Sequence, residues 1–471
     1  MSAQQELEFK GYAMTDPSAW STLTVTPFTP KTFGPDDVEI AITHCGVCGS
    51  DLHTLTGGWG ATSRLPLVVG HEIVGKVTRV GTNVTSLKPG DRAGVGAQVG
   101  SCLQCRACND NYENYCPHMI HTYNHEHPDG IFTQGGYSTG IRAHERFVFP
   151  IPDALESRHA ASMLCAGVTV FSPLKVYGAG PGKKVGVIGI GGLGHYAILF
   201  AKAMGAEVYA FTRGTGKAAD ARQMGADHVV DTTVNGYWRD LGMTFDILIS
   251  TVDQFPAGVS IREFLSMLYV HGKFISVGLP DVDQPLPAIH PFDVLANGSL
   301  VGGSHIGSKE DVLEMLALAA EKGVRPWIEE LPMREAGRAL EDVRAGRIRR
   351  VHVPKAHPLI LAEMPPQRIL PAERLPAPAH HQDPRVLDRI LAPHLRGHSK
   401  IRRVRERDPA AHVRRALRVA LLQYGHFHLL EVTRRCDAGK TGSLRRVVGM
   451  MSGWDEARED VDVDDAAGEE G

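Results

Sequence analysis

Neither sign of charge dominates these 471 residues: 50 lysines and arginines stand against 53 aspartates and glutamates, a formal net charge of −3. So balanced a chain has no whole-molecule attraction to nucleic acid or to an anionic membrane, and neither is expected as a partner. Cysteine is scarce, eight in all, too few for a disulfide scaffold at this length. Residues 1–13 lack the positive charge and apolar run of a signal peptide, so a reducing, cytoplasmic setting is expected. One long apolar stretch exists, 185–206, but it carries glycines at turn spacing, then His195 and Lys202. It reads as strand, turn and helix, not as a membrane span.

What is present changes in texture along the chain, and the length calls for two or three domains. Residues 20–155 are rich in Val, Thr, Gly and Pro with short alternating runs such as 38–43, the mark of a β-rich domain. From about 182, apolar runs at 184–190, 207–211, 246–251 and 272–277 alternate with helical stretches. That alternation predicts βαβ units and a parallel sheet, an α/β fold. Residues 309–322 have helical periodicity and a charged start. After 353 prolines, arginines and histidines take over, a short helix is expected near 410–422, and the chain closes on an acidic run from Asp455. Too little apolar periodicity remains there for a packed core, so disorder is expected for 354–471.

Half of the cysteines fall within fifteen residues. Cys102, Cys105, Cys108 and Cys116 form C-x2-C-x2-C-x7-C. Four thiolates close a tetrahedron around zinc with no vacant position, so this ion would be structural. Its binding would offset the entropy of ordering a polar loop over 100–120. A redox or disulfide set is the alternative. A second group is dispersed: Cys45-Gly-Val-Cys48-Gly-Ser50-Asp51-Leu-His53, then Gly70-His71-Glu72, then Cys165-Ala-Gly-Val-Thr169. Cys48, His71 and Cys165 offer the thiolates and imidazole that zinc prefers, and three protein ligands leave a fourth position open. Zinc in such a site polarises a carbonyl and lowers the pKa of a coordinated hydroxyl; water on zinc falls to about 7. Taken singly, these residues would be packed or surface side chains, and Cys45 is read as a packed thiol.

Residues 185–195, V-G-V-I-G-I-G-G-L-G-H, place G-x-G-x-x-G (Gly189, Gly191, Gly194, with Gly192 and Leu193 inside it) between an apolar strand and a helix. Alone the motif is weak. In that context it predicts a dinucleotide whose pyrophosphate sits at the helix N-terminus. The next strand should end at the adenosine ribose, where NAD enzymes place Asp or Glu. Here the chain reads Thr212-Arg213-Gly-Thr-Gly-Lys217. A carboxylate would repel a 2′-phosphate, whereas Arg213 and Lys217 would pair with it, so NADP(H) is expected. A solvated loop is the alternative for both cations. Val277, at the end of the 272–277 run, is assigned to the cofactor as well.

Together these motifs resemble the zinc-dependent medium-chain alcohol dehydrogenases, and more closely their cinnamyl alcohol dehydrogenase-like branch. The closer words are C-G-V-C-G-S-D-L-H, G-G-W-G at 57–60, T-Q-G-G-Y-S at 133–138 and L-C-A-G-V-T-V-F-S-P-L at 164–174, within a likeness running over about 10–350. The resemblance implies a GroES-like catalytic domain at 1–160 with its structural zinc lobe, a Rossmann domain at 161–303, and a return to the catalytic domain at 304–353. It makes Cys48, His71 and Cys165 the catalytic ligands, giving two zinc ions per chain. It maps a proton relay onto Ser50 and His53, sets Asp51 to orient the ligands, and allows Glu72 to approach the metal transiently. Thr169 would touch the nicotinamide, and Trp59 would line an apolar substrate pocket, with core packing as its equal alternative. The implied activity interconverts aldehydes, aromatic or medium-chain, and primary alcohols with NADP(H). The implied assembly is a homodimer joined through Rossmann sheet edges near 300–304.

The chain departs from that branch at its end. Residues 346–354 begin like the branch's final strand and then diverge into more than a hundred unfamiliar residues. A shifted frame, an unspliced segment or a recruited interaction tail would each account for them. Two other functions compete: a zinc dehydrogenase of polyols or secondary alcohols, and a zinc-stabilised binding protein without catalysis.

Overall fold

The computed structural model describes residues 7–60, 64–255, 260–347 and 351–356. The parallel sheet is built from strands whose both faces must be covered, hence their nearly continuous apolar sequences. Val208 and Ala210 enter one core cluster while Tyr209 and Phe211 enter another on the opposite face. Six strands run in the order His228–Asp231, Glu207–Thr212, Lys184–Ile188, Phe245–Ser250, Leu268–Ser276, Leu300–Gly303. Every neighbouring pair is parallel. In chain order this is 3-2-1-4-5-6, the doubly wound Rossmann arrangement, whose order reverses beside Lys184–Ile188. The stretch at 185–206 is indeed strand and turn followed by helix Gly192–Ala203. Among the described residues no helix is long and apolar enough to cross a membrane.

The β-rich part is a mostly antiparallel seven-stranded sheet, ordered Ile328–Pro332, Val351–Lys355, Asp37–Cys45, Ile73–Val80, Arg92–Val95, Phe149–Pro150, with Gly140–His144 also on Asp37–Cys45. Val38, Ile40, Ile42, Ile73 and Val77 fill its core with Tyr137 and Leu340.

Helix Lys309–Lys322 matches its expected bounds. Ser308 accepts from Asp311 N–H at 3.3 Å and Asp311 accepts from Ser308 N–H at 3.2 Å, a reciprocal cap that satisfies two otherwise orphan donors. Its buried face, Val312, Met315, Leu316 and Ala319, packs in a core cluster that the parallel sheet shares with Val74, Phe149 and Val353 of the β-rich sheet. The chain re-enters the β-rich sheet itself at strand Ile328–Pro332. The tail boundary moves. Pro354 and Lys355 complete the strand Val351–Lys355, and Ala356 N–H donates to Thr43 O at 2.9 Å. The disorder and short helix expected further on lie outside the described residues.

Candidate active site

Asp51 is the fixed point of the first cluster. It lies fully buried on helix Gly49–Thr56 and accepts from Cys48 N–H, Gly70 N–H and Tyr137 O–H at 3.1, 3.1 and 2.9 Å. Burial alone would raise its pKa most, but the charge and hydrogen bond of His71, the Cys48 N–H and a bond to Tyr123 hold it below the usual carboxylate value. Asp51 Oδ1 also sits 3.1 Å from His71 Nδ1. A carboxylate can only accept, so Nδ1 carries the hydrogen and Nε2 is left as a ligand atom. His71 Nε2 is 3.0 Å from Cys165 Sγ. Cys165 sits on the π-helical turn Met163–Gly167, between helices Ser157–Ser162 and Val168–Val176. One extra residue per turn re-aims a side chain without ending the helix, a device common at functional sites.

The ligand atoms of Cys48, His71, Glu72 and Cys165 all lie within 4.8 Å of one another. The two sulfurs are 3.9 Å apart, close to the roughly 3.8 Å of two thiolates on one tetrahedral zinc. Hydrogen bonding from Cys165 is the largest of the influences that pull Cys48 well below the usual thiol pKa. Glu72 Oε2 is buried with no hydrogen-bond partner, and burial, then the Cys48 charge, push its carboxyl well up. A Cβ at Gly46 would overlap that oxygen, so the glycine makes the room it occupies. An orphaned buried oxygen beside two sulfurs and an imidazole is a donor set that suits a cation, and the residues fit zinc. Ser50 Oγ lies 3.5 Å from Cys48 Sγ. Thr169, buried, follows Cys165 one turn along the same helical run. Cys45 is fully buried and outside the cluster.

Cys102, Cys105, Cys108 and Cys116 form a second cluster. Their sulfurs approach in pairs at 3.5, 3.6, 3.8 and 4.0 Å, again bracketing the roughly 3.8 Å edge of a zinc–sulfur tetrahedron. Backbone N–H groups of Cys105 and His118 donate to Cys102 and Cys116 sulfurs at 3.4 and 3.3 Å, which suits thiolates. With four sulfurs in place, no vertex remains for a substrate.

At the other end of helix Gly49–Thr56, His53 stacks on Trp59 with ring centroids 5.1 Å apart and planes 7° from parallel. Trp59 Nε1–H donates to Pro280 O at 3.2 Å. The indole thus packs on His53 instead of filling the sheet core.

The glycine turn divides its labour. Gly189 has φ +88°, a conformation side chains resist, and a Cβ at Gly194 would overlap Gly189 O. Nothing lies within 4 Å of a Cβ at Gly191, so that side of the turn is an open cradle of backbone at the N-terminus of helix Gly192–Ala203, the geometry that receives phosphates. Leu193 packs against the core, and Val277 is buried. His195 Nδ1 donates to Gly192 O at 3.0 Å and its Nε2 accepts from Trp327 N–H at 3.2 Å. Burial lowers its pKa to about 4, so a neutral ring braces the turn. A cleft of about 460 Å³ beside the turn is lined by Gly189, Ile190, Thr212, Arg213, Lys217 and Thr232, among others. Arg213 is exposed on it. Lys217 Nζ donates to Ile190 O at 2.7 Å, tying its loop to the glycine turn.

Several contributors were invisible in the sequence. Tyr137 lies within the 133–138 word, but nothing there tells that its hydroxyl meets Asp51. Tyr123, 3.1 Å from His71 Nδ1, and the π turn under Cys165 had no signal at all.

Comparison with known proteins agrees with this geometry. Residues 34–153 match the alcohol dehydrogenase GroES-like domain and residues 192–321 the zinc-binding dehydrogenase family. The chain belongs to the zinc-binding alcohol dehydrogenases, an oxidoreductase family. Among its relatives, NADP-dependent alcohol dehydrogenase 6 of Saccharomyces cerevisiae is 41% identical over 346 residues, covering 73% of this chain and 95% of that protein. Cinnamyl alcohol dehydrogenase 2 of Arabidopsis thaliana is 41% identical over 343 residues, 72% of this chain and 89% of its own. Among solved structures, a cinnamyl alcohol dehydrogenase of Sorghum bicolor superposes with a TM-score of 0.69 at 37% identity, covering 74% of this chain and 98% of that one. That of Helicobacter pylori, complexed with NADP(H), gives 0.68 at 32%, with 74% and 98% covered.

Proposed function

We propose that this chain is an NADP(H)-dependent alcohol dehydrogenase that reduces aldehydes, aromatic or medium-chain, to primary alcohols and runs the reverse reaction. The reaction balances as aldehyde, NADPH and a proton giving alcohol and NADP⁺. The observation that carries it is the meeting of Cys48, His71, Cys165 and Glu72, whose Oε2 has no hydrogen-bond partner, within 4.8 Å, in a chain that also presents an open glycine cradle. When bound, zinc supplies Lewis acidity toward the substrate oxygen and the nicotinamide supplies or accepts hydride.

The chain's own residues do the rest. Cys48, His71 and Cys165 hold the catalytic zinc, Asp51 fixes the tautomer of His71, and Glu72 stands by as a transient fourth donor. Ser50 takes or returns the alcohol proton, and His53 passes it to solvent. Thr169 and Val277 border the nicotinamide, while Trp59 borders the substrate as it packs on His53. Gly189, Gly191, Gly192, Leu193 and Gly194 shape the pyrophosphate cradle. Thr212, Arg213 and Lys217 surround the 2′-phosphate, the two cations by charge. Cys102, Cys105, Cys108 and Cys116 hold a structural zinc. The domain plan follows: catalytic sheet, inserted dinucleotide domain, and a final return to the catalytic sheet.

Strand Leu300–Gly303 is the edge of its sheet and exposed along its length, Leu300 and Val301 included. An open apolar edge supports a homodimer joined there. Metal sites built on thiolates support a cytoplasmic location, where cysteines stay reduced. Oxidation of NADPH against NADH, followed at 340 nm with aromatic and aliphatic aldehydes, tests the reading. Turnover with NADPH and an aldehyde is expected; its absence in zinc-replete protein, with any aldehyde, would overturn it.

A further inference from the structure

His53 meets a carboxylate supplied from far along the chain. Its Nδ1 stands 2.6 Å from Asp281 Oδ1, across a sequence separation of 228. His53 belongs to helix Gly49–Thr56, and Asp281 to the connection that follows strand Leu268–Ser276 of the parallel sheet. That connection is fastened to the loop after the helix on both sides of Asp281. Trp59 Nε1–H donates to Pro280 O at 3.2 Å, and Val282 N–H donates to Gly58 O at 3.1 Å. The carboxylate occupies space that only glycine leaves, because a Cβ at Gly58 would overlap Asp281 Oδ1. Trp59 closes the other face by stacking on the imidazole. Side-chain exposure of 18% for His53 and 40% for Asp281 makes the pair too wet to stabilise the fold much. Its consequence lies in orientation.

Resting on the alcohol dehydrogenase reading above, we propose that Asp281 is a positioning residue for the proton relay, accepting the Nδ1–H bond of His53 and fixing the neutral tautomer in which Nε2 is the basic nitrogen. An unrestrained imidazole exchanges tautomers and rotates. A carboxylate on Nδ1 removes that choice, as carboxylates do for histidines elsewhere. Asp253 is the other carboxylate facing His53, and its burial pushes its own pKa up; Asp281 is the one hydrogen-bonded to the ring. Gly58 is then part of the device, holding the position open.

The experiment uses the full chain loaded with zinc. Nitrogen-15 spectra of the imidazoles, at a pH where they are neutral, are assigned for His53 by the signal lost in His53→Gln. The Nδ1–H tautomer is expected in the wild type, and its loss in Asp281→Ala and in Gly58→Ala, which expels the carboxylate without altering it. With NADPH and an aldehyde, both variants should lower kcat about tenfold, less than the ~10²-fold of removing a proton-transfer group outright, with KM for NADPH unchanged. Asp281→Ala should add nothing to His53→Gln, since both act through one ring. An unchanged tautomer in Asp281→Ala overturns the proposal whether or not the protein turns over, and so does full additivity of the two substitutions. A wild type that shows the tautomer but turns over no aldehyde overturns the functional reading instead.

Discussion

At the scale of single residues, the Cys48, His71, Glu72 and Cys165 cluster gathers donor atoms suited to one cation. His71→Ala removes one of the three proposed zinc ligands, so metal analysis should fall from two zinc ions per chain to one. Turnover should drop by several orders of magnitude, while the four-sulfur site keeps its ion. Retention of both ions would contradict the ligand set. Arg213 is proposed to act on a different group, the 2′-phosphate. Losing a charged hydrogen bond costs about 1.5–3 kcal/mol, so Arg213→Ala should raise KM for NADPH roughly tenfold or more and leave KM for NADH unaltered. Equal effects on both cofactors would remove the phosphate from its assigned partner. These ligands were legible in the sequence because zinc chemistry restricts both residue type and spacing. Asp281 was not, because nothing near residue 281 refers to a histidine 228 positions away.

At the scale of elements, the glycine turn and the helix after it depend on a ring that must stay neutral. His195 donates through Nδ1 and accepts through Nε2, and its pKa is lowered to about 4. Between that value and the ordinary ~6.5 the unfolded chain binds a proton that the native chain refuses, so stability rises with pH across the window and is lost as pH falls through it. Denaturant unfolding at pH 7 and 4.5 should show the wild type losing about 2 kcal/mol more than His195→Gln, since glutamine offers a donor and an acceptor without titrating. Equal losses would place the acid sensitivity elsewhere. The helix Lys309–Lys322 was readable to the residue and three of the strands to within two residues, whereas Leu268–Ser276 begins four residues before its apolar run and His228–Asp231 gave no clear run. The π turn Met163–Gly167 was not readable, because an inserted residue leaves the apolar pattern of 164–174 looking like ordinary helix.

At the scale of the whole molecule, the two cores are interleaved, which is the part that composition and pattern reveal least. The strand Val351–Lys355 lies between Ile328–Pro332 and Asp37–Cys45 in the sheet. A chain ended after Ala356 should keep its turnover and melting temperature, whereas one ended before Val351 loses the strand that joins Ile328–Pro332 to the sheet and should be inactive and unfolded. Activity surviving the second cut would mean the strand is dispensable. Replacing Val301 with lysine on the exposed edge strand should convert a dimer to monomer in analytical ultracentrifugation; an unchanged mass would locate assembly at another surface. The same strand sets a timetable during synthesis. Asp37–Cys45 leaves the ribosome early, yet one of its neighbours is made some three hundred residues later. The inserted nucleotide-binding domain can fold while the first sheet still waits with an open flank, and that waiting flank is where a chaperone, or a misfolded contact, would find its opportunity.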